Sequence, residues 1–301
     1  MLAGVALTSL PVATRAATTL RMATLPVDAS ALAYYAADLG YFKDAGFDVS
    51  LQTIGNGAAI AAAIVANSLD IGWSNLVSLA VAYKRGIPVT IIGAGGIYAR
   101  GALTNQLMVR KDSPIRKAAD LTGKTIGCNG LTNLGQFGPE LWIDKNGGTS
   151  SAVHFIEFPF PDLPAELAQG RIDAAFVAEP FITEAAPFAR TLATPFDLVA
   201  PRWMLGAWFT TPAWANGHRE QVQAFGTVMA KTAAWANANQ EQSGLLLAKY
   251  AKIDPAILKK MRRVPYATRA QAAEIQPVID LSARYGALPA PFPARELMYS
   301  G

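Results

Sequence analysis

The chain contains 301 residues, of which 51% are apolar and 16% charged, and its formal net charge is +4. This composition excludes intrinsic disorder, and the length is sufficient for one large core or two smaller ones. The only dense basic run, 259–263, follows Asp254-Pro255, which predicts a helix start with proline in its first turn. A solvated helix face explains this run better than a nucleic-acid patch, so we expect no nucleic-acid partner.

The first 17 residues resemble the second half of a secretory signal peptide. A short apolar stretch ends at Leu10, and small residues lead to a possible cleavage point at Ala16 or Ala17, without the usual basic front region. The stretch is too short to span a membrane, and no other run reaches about 18 unbroken apolar residues. The pattern predicts a shortened signal peptide over 1–17 and an exported, periplasmic protein.

Strands and helices alternate through most of the chain. The predicted strands are 20–24, 47–54, 69–73, 87–92, 106–110, 125–128, 153–158 and 172–177. The segment 198–210 is predicted to be extended, and the pattern from about residue 215 onward is helical, including a helix over 255–263. Strands that alternate with helices predict an α/β sheet architecture.

Two segments about 100 residues apart follow nearly the same pattern. Residues 41–75 and 142–179 each contain a helix closed by glycine, a strand, a turn, a helix and a short strand introduced by an aspartate. The aspartates are Asp70 and Asp173, which we expect to orient a turn rather than to form a catalytic pair. The repeat predicts two similar lobes enclosing a cleft, although any two such units share glycine-rich connections.

Five turns at helix starts are candidates for binding a ligand. In open α/β sheets, ligands bind beyond the carboxyl ends of the strands, where unpaired N–H groups favour acceptor atoms. Helix capping explains the same small polar residues, and Glu179 could either accept from a ligand or cap its helix. With a tryptophan proposed as a cleft wall, the predicted ligand-binding residues are Val27, Asp28, Asn56, Gly57, Ser74, Asn75, Asn129, Leu131, Thr132, Asn133, Glu179 and Trp208.

Neither a catalytic motif nor a metal-binding pattern is found in the sequence. The glycine clusters lack the spacing of nucleotide-binding loops, and no serine-hydrolase or zinc-protease motif occurs. The single cysteine, Cys128, ends a predicted strand, and the two histidines, His154 and His218, stand apart. We therefore expect no cofactor, no metal and no enzymatic activity.

Several short motifs together resemble a known family. They are Ala37–Val49, Asn67–Gly72, Lys84–Val89, Val109–Ile115, Ala119–Lys124, Gly170–Ala174 and Glu179–Phe181. In this order, over roughly residues 20–200, the chain is similar to the nitrate, sulfonate and taurine substrate-binding proteins of ABC transporters, which include binders of pyrimidine precursors. The helical tail is less distinctive.

The resemblance implies a type II periplasmic binding fold: two α/β lobes joined by a two-strand hinge, with a helical C-terminal segment. We expect lobe I over 18–103 and 203–301, and lobe II over 104–202. The resemblance also implies a monomer that captures a small polar organic ligand and delivers it to an ABC permease. The protein would then contact the membrane only through this permease. The ligand classes considered are sulfonate, carboxylate, amine and pyrimidine. None of the five turns contains Arg or Lys, so an arginine clamp on a strong anion is not predicted.

Two other functions remain open. Enzymes of the same fold that make the thiamine pyrimidine use a cysteine-rich motif, histidines and a bound cofactor, whereas this chain has one Cys and two separated His residues. A ligand-sensing effector domain is the second alternative, but no helix-turn-helix segment is recognisable.

Overall fold

The computed structural model describes residues 17–301, in which the strands form two five-stranded sheets and one two-stranded sheet. In chain order the strands are β1 (Thr18–Thr24), β2 (Phe47–Thr53), β3 (Ile71–Asn75), β4 (Thr90–Ala94), β5 (Ile97–Ala99), β6 (Asn105–Arg110), β7 (Thr125–Cys128), β8 (His154–Glu157), β9 (Ala174–Ala178), β10 (Ala189–Ala193), β11 (Arg202–Met204) and β12 (Gly206–Thr210). The expectation of a signal peptide falls almost wholly on residues 1–16, outside the described residues.

Helices cover both large sheets. In chain order they are α1 (Leu32–Asp38), α2 (Tyr41–Asp44), α3 (Gly57–Val65), α4 (Leu76–Lys84), α5 (Leu134–Lys145), α6 (Leu163–Ala168), α7 (Phe181–Ala185), α8 (Pro212–Gly217), α9 (Arg219–Ala238), α10 (Gln240–Ala251), α11 (Pro255–Leu258) and α12 (Ala272–Arg284). Short 3-10 helices occupy Asp28–Ser30, Ala118–Leu121, Ser150–Ala152, Pro195–Leu198 and Ala294–Leu297. Among the described helices none is long and apolar enough to cross a membrane.

The two large sheets have the same topology. The first has the strand order β2-β1-β3-β12-β4, and the second has the order β8-β7-β9-β6-β10. In each sheet the fourth strand runs antiparallel to its two neighbours, while the first three strands are parallel. The segments α2-β2-α3-β3 and α5-β8-α6-β9 occupy equivalent places, so the repeat in the sequence corresponds to a repeat in the fold.

The repeated aspartates make the same contacts in both sheets. The Asp70 N–H donates to the Arg21 carbonyl at 2.8 Å, and the Asp70 carboxylate accepts from the Arg21 N–H at 2.8 Å. Asp173 makes the same pair of bonds with Thr125, at 2.9 Å each. Each aspartate therefore ties the strand that it introduces, the central one of its sheet, to the parallel strand beside it, as expected of a turn-orienting residue.

The chain passes between the sheets twice, and each crossing contains one strand of a short ribbon. Strand β5 lies on the first crossing and β11 on the return, and they pair antiparallel, with Tyr98 opposite Trp203. Both side chains are fully buried, and the Phe196 ring packs edge-on against both of them. The predicted two-strand hinge is therefore confirmed, whereas the lobe boundaries at 103/104 and 202/203 stay a prediction.

The C-terminal helices complete the first half of the molecule. Helix α9 packs on α1 and β4, and α12 packs on α4 and β11. The predicted helix over 255–263 is wrong in its second half, because α11 ends at Leu258 and the basic run follows in an irregular segment. Within this irregular segment the Arg263 side chain turns inward and pairs with the buried carboxylate of Asp28.

Candidate ligand-binding site

A small cavity lies between the facing edges of the two large sheets. On the first sheet's side its walls are Leu25, Val27, Ala29, Trp73, Asn75 and Leu205. On the second sheet's side they include Asn105, Asn129, Leu134, Phe160, Phe176 and Phe196. Trp73 and Phe176 lie within the central strands β3 and β9, and the other residues lie at strand ends or in the segments between strands. The carboxyl ends of the parallel strands are at this edge, where α/β sheets bind ligands.

The free volume of this cavity is about 40 Å³. Sites for small organic ligands have volumes of about 300–1,000 Å³. The structure therefore corresponds to a closed arrangement, in which the two halves meet with little space left between them.

None of the residues that line this cavity, among those described, has a charged side chain. The polar lining consists of three amides and the indole N–H of Trp73, which is buried and has no hydrogen-bond partner among the described residues. The three amides differ in what they already bind. Asn75 exchanges hydrogen bonds with the Ser78 N–H and hydroxyl, both at 3.0 Å. The Asn105 Oδ1 accepts from the Thr104 hydroxyl at 3.2 Å. Within residues 17–301, the Asn105 Nδ2 and the whole Asn129 amide have no hydrogen-bond partner, although Asn129 is only 7% exposed.

The asparagines at three helix starts cap their own helices. Asn56 Oδ1 accepts from the Ala59 N–H at 2.8 Å at the start of α3, and Asn133 Oδ1 accepts from the Gly135 N–H at 2.7 Å at the start of α5. Asn75 does the same for α4. One N–H group of each helix is therefore satisfied within the chain, which differs from the expectation that these turns present open donors to a ligand.

Gly57 and Ser74 lie against each other, away from the cavity. A Cβ at position 57 would lie 2.1 Å from the Ser74 Oγ, so only glycine allows α3 to approach β3 this closely. Leu131 and Thr132 lie on an exposed loop at the rim, where the Leu131 N–H donates to Glu157 Oε2 at 3.2 Å.

The carboxylate of Asp28 is not available to a ligand. It is fully buried and pairs with the Arg263 guanidinium at 2.8 Å. It also accepts from the Val264 N–H at 2.7 Å and from the hydroxyls of Tyr35 and Tyr266. Burial and the Asp28 charge raise the pKa of both phenols, which therefore remain protonated donors.

Glu179 also binds within the protein. Its carboxylate accepts from the Thr183 N–H at 3.2 Å and the Thr183 hydroxyl at 2.9 Å, which caps α7, and from the Arg262 N–H at 3.0 Å. Its backbone carbonyl accepts from the Asp28 N–H at 3.1 Å. Burial raises the pKa of this carboxyl to about 7. Glu179 was predicted either to accept from a ligand or to cap its helix, and in the structure it caps α7. It also connects the two halves of the molecule through the Arg262 N–H.

Trp208 does not line the cavity. It is fully buried, and its ring packs edge-on against Phe225 of α9 at 5.9 Å. Its neighbour in register, Trp73, lines the cavity instead. Of the predicted binding residues, Val27, Asn75 and Asn129 line it, and their contact with a ligand stays a prediction.

Most of the aromatic wall, and Asn105, carry no local sequence signal of a binding site. Asn105 begins the antiparallel strand β6, whose start lies at the same edge as the ends of its parallel neighbours. Phe176 lies within the apolar strand β9, where packing in a core was the simpler interpretation. Only the strand order, which local patterns do not fix, could have identified them.

The sequence profile of the NMT1/THI5 like family matches residues 29–243. A comparison with the sequences of characterised proteins gives no match.

Solved structures with the same fold include both binding proteins and an enzyme. The periplasmic aliphatic sulphonate binding protein SsuA from Escherichia coli has a TM-score of 0.72 at 18% identity, over 94% of this chain and 92% of its own. The periplasmic nitrate-binding protein NrtA from Synechocystis PCC 6803 has a TM-score of 0.75 at 12% identity, over 93% of this chain and 84% of its own. The desulfurization enzyme DszB has a TM-score of 0.67 at 15% identity, over 93% of this chain and 96% of its own. At these identities the similarity shows a shared fold, not a shared ligand.

Proposed function

Because the chain belongs to the NMT1/THI5 like family, we propose that it is a solute-binding protein that closes over a small molecule and delivers it to an ABC permease. The observation that carries the proposal is the cavity between the facing edges of two equivalent sheets, with walls from both. In this role the protein is exported to the periplasm, acts as a monomer and contacts the membrane only through the permease.

Binding rather than catalysis is supported by the state of Cys128. Its thiol is buried, and burial raises its pKa to about 12, which disfavours the thiolate that a cysteine nucleophile requires. No group of three or more His, Cys, Asp or Glu side chains within residues 17–301 is arranged to hold a metal ion. Release of sulfite from an aromatic sulfinate by the pure protein would instead support a desulfurising enzyme.

The lining of the cavity favours an uncharged, planar ligand. A buried sulfonate or carboxylate would meet no cationic side chain there, and burying an ion without a partner is costly. The aromatic rings of Trp73, Phe160 and Phe176 line the cavity, and aromatic side chains pack favourably against flat aromatic molecules. The open amide of Asn129 can both donate to a ligand and accept from it. Among the predicted classes, the heteroaromatic pyrimidine type fits best.

Thermal unfolding of the pure protein with matched compounds tests the proposal. We expect 4-aminopyrimidine and nicotinamide to stabilise the chain more than benzoate and benzenesulfonate do. A ligand at about 100 times its Kd adds about 2.7 kcal/mol to the free energy of unfolding.

The variant Asn129→Leu should lose this stabilisation, while Asn146→Leu, at an exposed helix end, should keep it. If only the anions stabilise the protein, the ligand class is wrong. If none of a broad panel of small organic molecules does so, the binding function itself is wrong.

A further inference from the structure

A second and larger groove lies beside the central cavity, between the two halves of the molecule. Its volume is about 690 Å³, within the range of sites for small organic ligands. One wall is formed by β6, β10 and α7, and the other by α11 and the irregular segment that follows it. None of the residues of the central cavity lines this groove.

The walls of the groove are largely apolar. Met108 of β6 and Ala189 of β10 lie on the sheet side, with Ile182 of α7, and Ile257 of α11 faces the groove from the opposite wall. Met108, Ile182 and Ala189 are nine-tenths buried or more. A hydrocarbon chain placed between these walls would be removed from water on two sides.

Three residues with cationic side chains, Arg190, Lys260 and Arg262, are among those that line the groove. Within residues 17–301, none of them forms an ion pair with a carboxylate. Arg190 is half-buried, and its guanidinium donates only to the backbone carbonyls of Ser113 and Ile115. By contrast, Arg263, the residue next to Arg262, is paired with Asp28.

Among the described residues that line the groove, Glu179 is the only acidic one. Its carboxylate is already occupied by three hydrogen bonds, from Thr183 and from the Arg262 N–H. Three cations and one acid leave the groove with a positive charge whether Glu179 is ionised or not. The site therefore combines apolar walls with an excess of positive charge.

We propose that this groove binds a small amphipathic anion, a medium-chain aliphatic carboxylate, at a site separate from the central cavity. The alkyl chain lies between Met108, Ile182 and Ile257, and the carboxylate contacts Lys260 and Arg262 at the more exposed end. Exposed cations are common on protein surfaces and need no ligand. Here they converge on a walled apolar groove, and that combination of charge and apolar area matches an amphiphile.

Calorimetric titration of the full chain with octanoate tests this proposal. We expect octanoate to bind, and octanamide and octylammonium, which have the same chain without the negative charge, to bind much more weakly. The double variant K260Q/R262Q should weaken octanoate binding by about fivefold or more, as expected for the loss of two exposed charge contacts.

The matched control is K259Q. Lys259 is also exposed and neighbours Lys260, but its side chain does not line the groove. It removes one positive charge from the same segment and should leave octanoate binding unchanged. Circular dichroism checks that both variants fold.

Three results would overturn the proposal: no binding of octanoate at about 1 mM, the weak end of specific affinities; equal binding of octanamide; or the same loss in K259Q as in the double variant. None of these results bears on the central cavity, so the proposed transport function would stand or fall separately.

Discussion

Asp28 and Arg263 form an ion pair that is almost completely removed from water, with side-chain exposures of 0% and 8%. Removing one partner of such a pair leaves an uncompensated buried charge. We expect Arg263→Met to lower the free energy of unfolding by about 3–5 kcal/mol, measured by urea denaturation.

The matched control is Lys249→Met. Lys249 pairs with Asp38 at the same 2.8 Å, but its side chain is 63% exposed. Its loss should cost no more than about 1 kcal/mol. Equal costs for the two variants would mean that burial of the Asp28 pair has no energetic consequence.

Glu179 should make the stability of the protein depend on pH near neutrality. Burial raises its pKa from the ordinary 4.5 to about 7, so the folded state binds the proton more tightly than the unfolded state. The stabilisation from this proton is fully present below about pH 4.5 and is lost as the pH rises through about 7, by about 3 kcal/mol in all.

The variant Glu179→Gln, which cannot ionise, should lack this loss. Urea denaturation at pH 5 and pH 8 measures the difference for both proteins. A wild-type protein with the same pH dependence as the variant would contradict the shift.

For single residues, the sequence predicted local contacts but not contacts between distant positions. Asn56, Asn75 and Asn133 could be assigned to helix starts because a cap and its N–H are two or three residues apart. The partner of Asp28 lies 235 positions away in a basic run that resembled a solvated face. Such a pairing depends on tertiary packing, which no local pattern contains.

Asp70 and Asp173 each link two neighbouring strands within their own sheet. Because their positions are equivalent, the same substitution can be compared at both. Asp70→Ala and Asp173→Ala each remove an acceptor from the N–H of the neighbouring strand. Each should lower the free energy of unfolding by about 1–3 kcal/mol. Chemical denaturation of the two variants measures the effect.

Asparagine at these positions should separate the two sites. It retains an oxygen for the strand N–H but loses the charge. Asp70 also pairs with the Arg21 guanidinium at 2.7 Å, whereas Lys124 lies 3.8 Å from the more exposed Asp173. Asp70→Asn should therefore be the more destabilising of the two. A larger effect of Asp173→Asn would mean that the Arg21 pair contributes nothing.

The repeated elements could be predicted because each unit is local: a strand, a helix and a strand within about 35 residues. The sequence itself indicated only that the crossings between the lobes are short strands, and the pairing of two strands into a hinge was implied by the family resemblance. Strands β5 and β11 are three residues each and pair across about 100 positions. The composition of such short strands does not distinguish them from loops.

For the whole molecule, the important quantity is the relative position of the two halves. Their contacts at the rim include a hydrogen bond from Asn56 Nδ2 to Glu157 Oε1 at 3.3 Å and one from the Tyr285 hydroxyl to Asp144 at 3.2 Å. The cavity in this arrangement is too small for an organic ligand, so the proposed function requires that these contacts open and close again. Neither the cavity volume nor these contacts follow from the sequence of either half alone.

The Asn56–Glu157 contact should influence the balance between closed and open forms. Asn56→Asp retains the cap on α3, because a carboxylate accepts from the Ala59 N–H as well as an amide does. It also places two negative charges against each other across the rim. We expect this variant to have a larger radius of gyration by small-angle X-ray scattering than the wild type.

A compensating change distinguishes this repulsion from damage to α3. In the double variant N56D/E157Q the amide at position 157 can donate to the new carboxylate, so the hydrogen bond is restored with its direction reversed, and the radius of gyration should return toward the wild-type value. Because Glu157 is exposed and Asn56 is only half-buried, about 1 M salt should also reduce the expansion of the single variant. A single variant as compact as the wild type, or a double variant as expanded as the single one, would show that this contact does not hold the halves together. Recovery of the wild-type radius of gyration in the double variant would show that closure depends on the hydrogen bond between positions 56 and 157, whichever of the two supplies the donor.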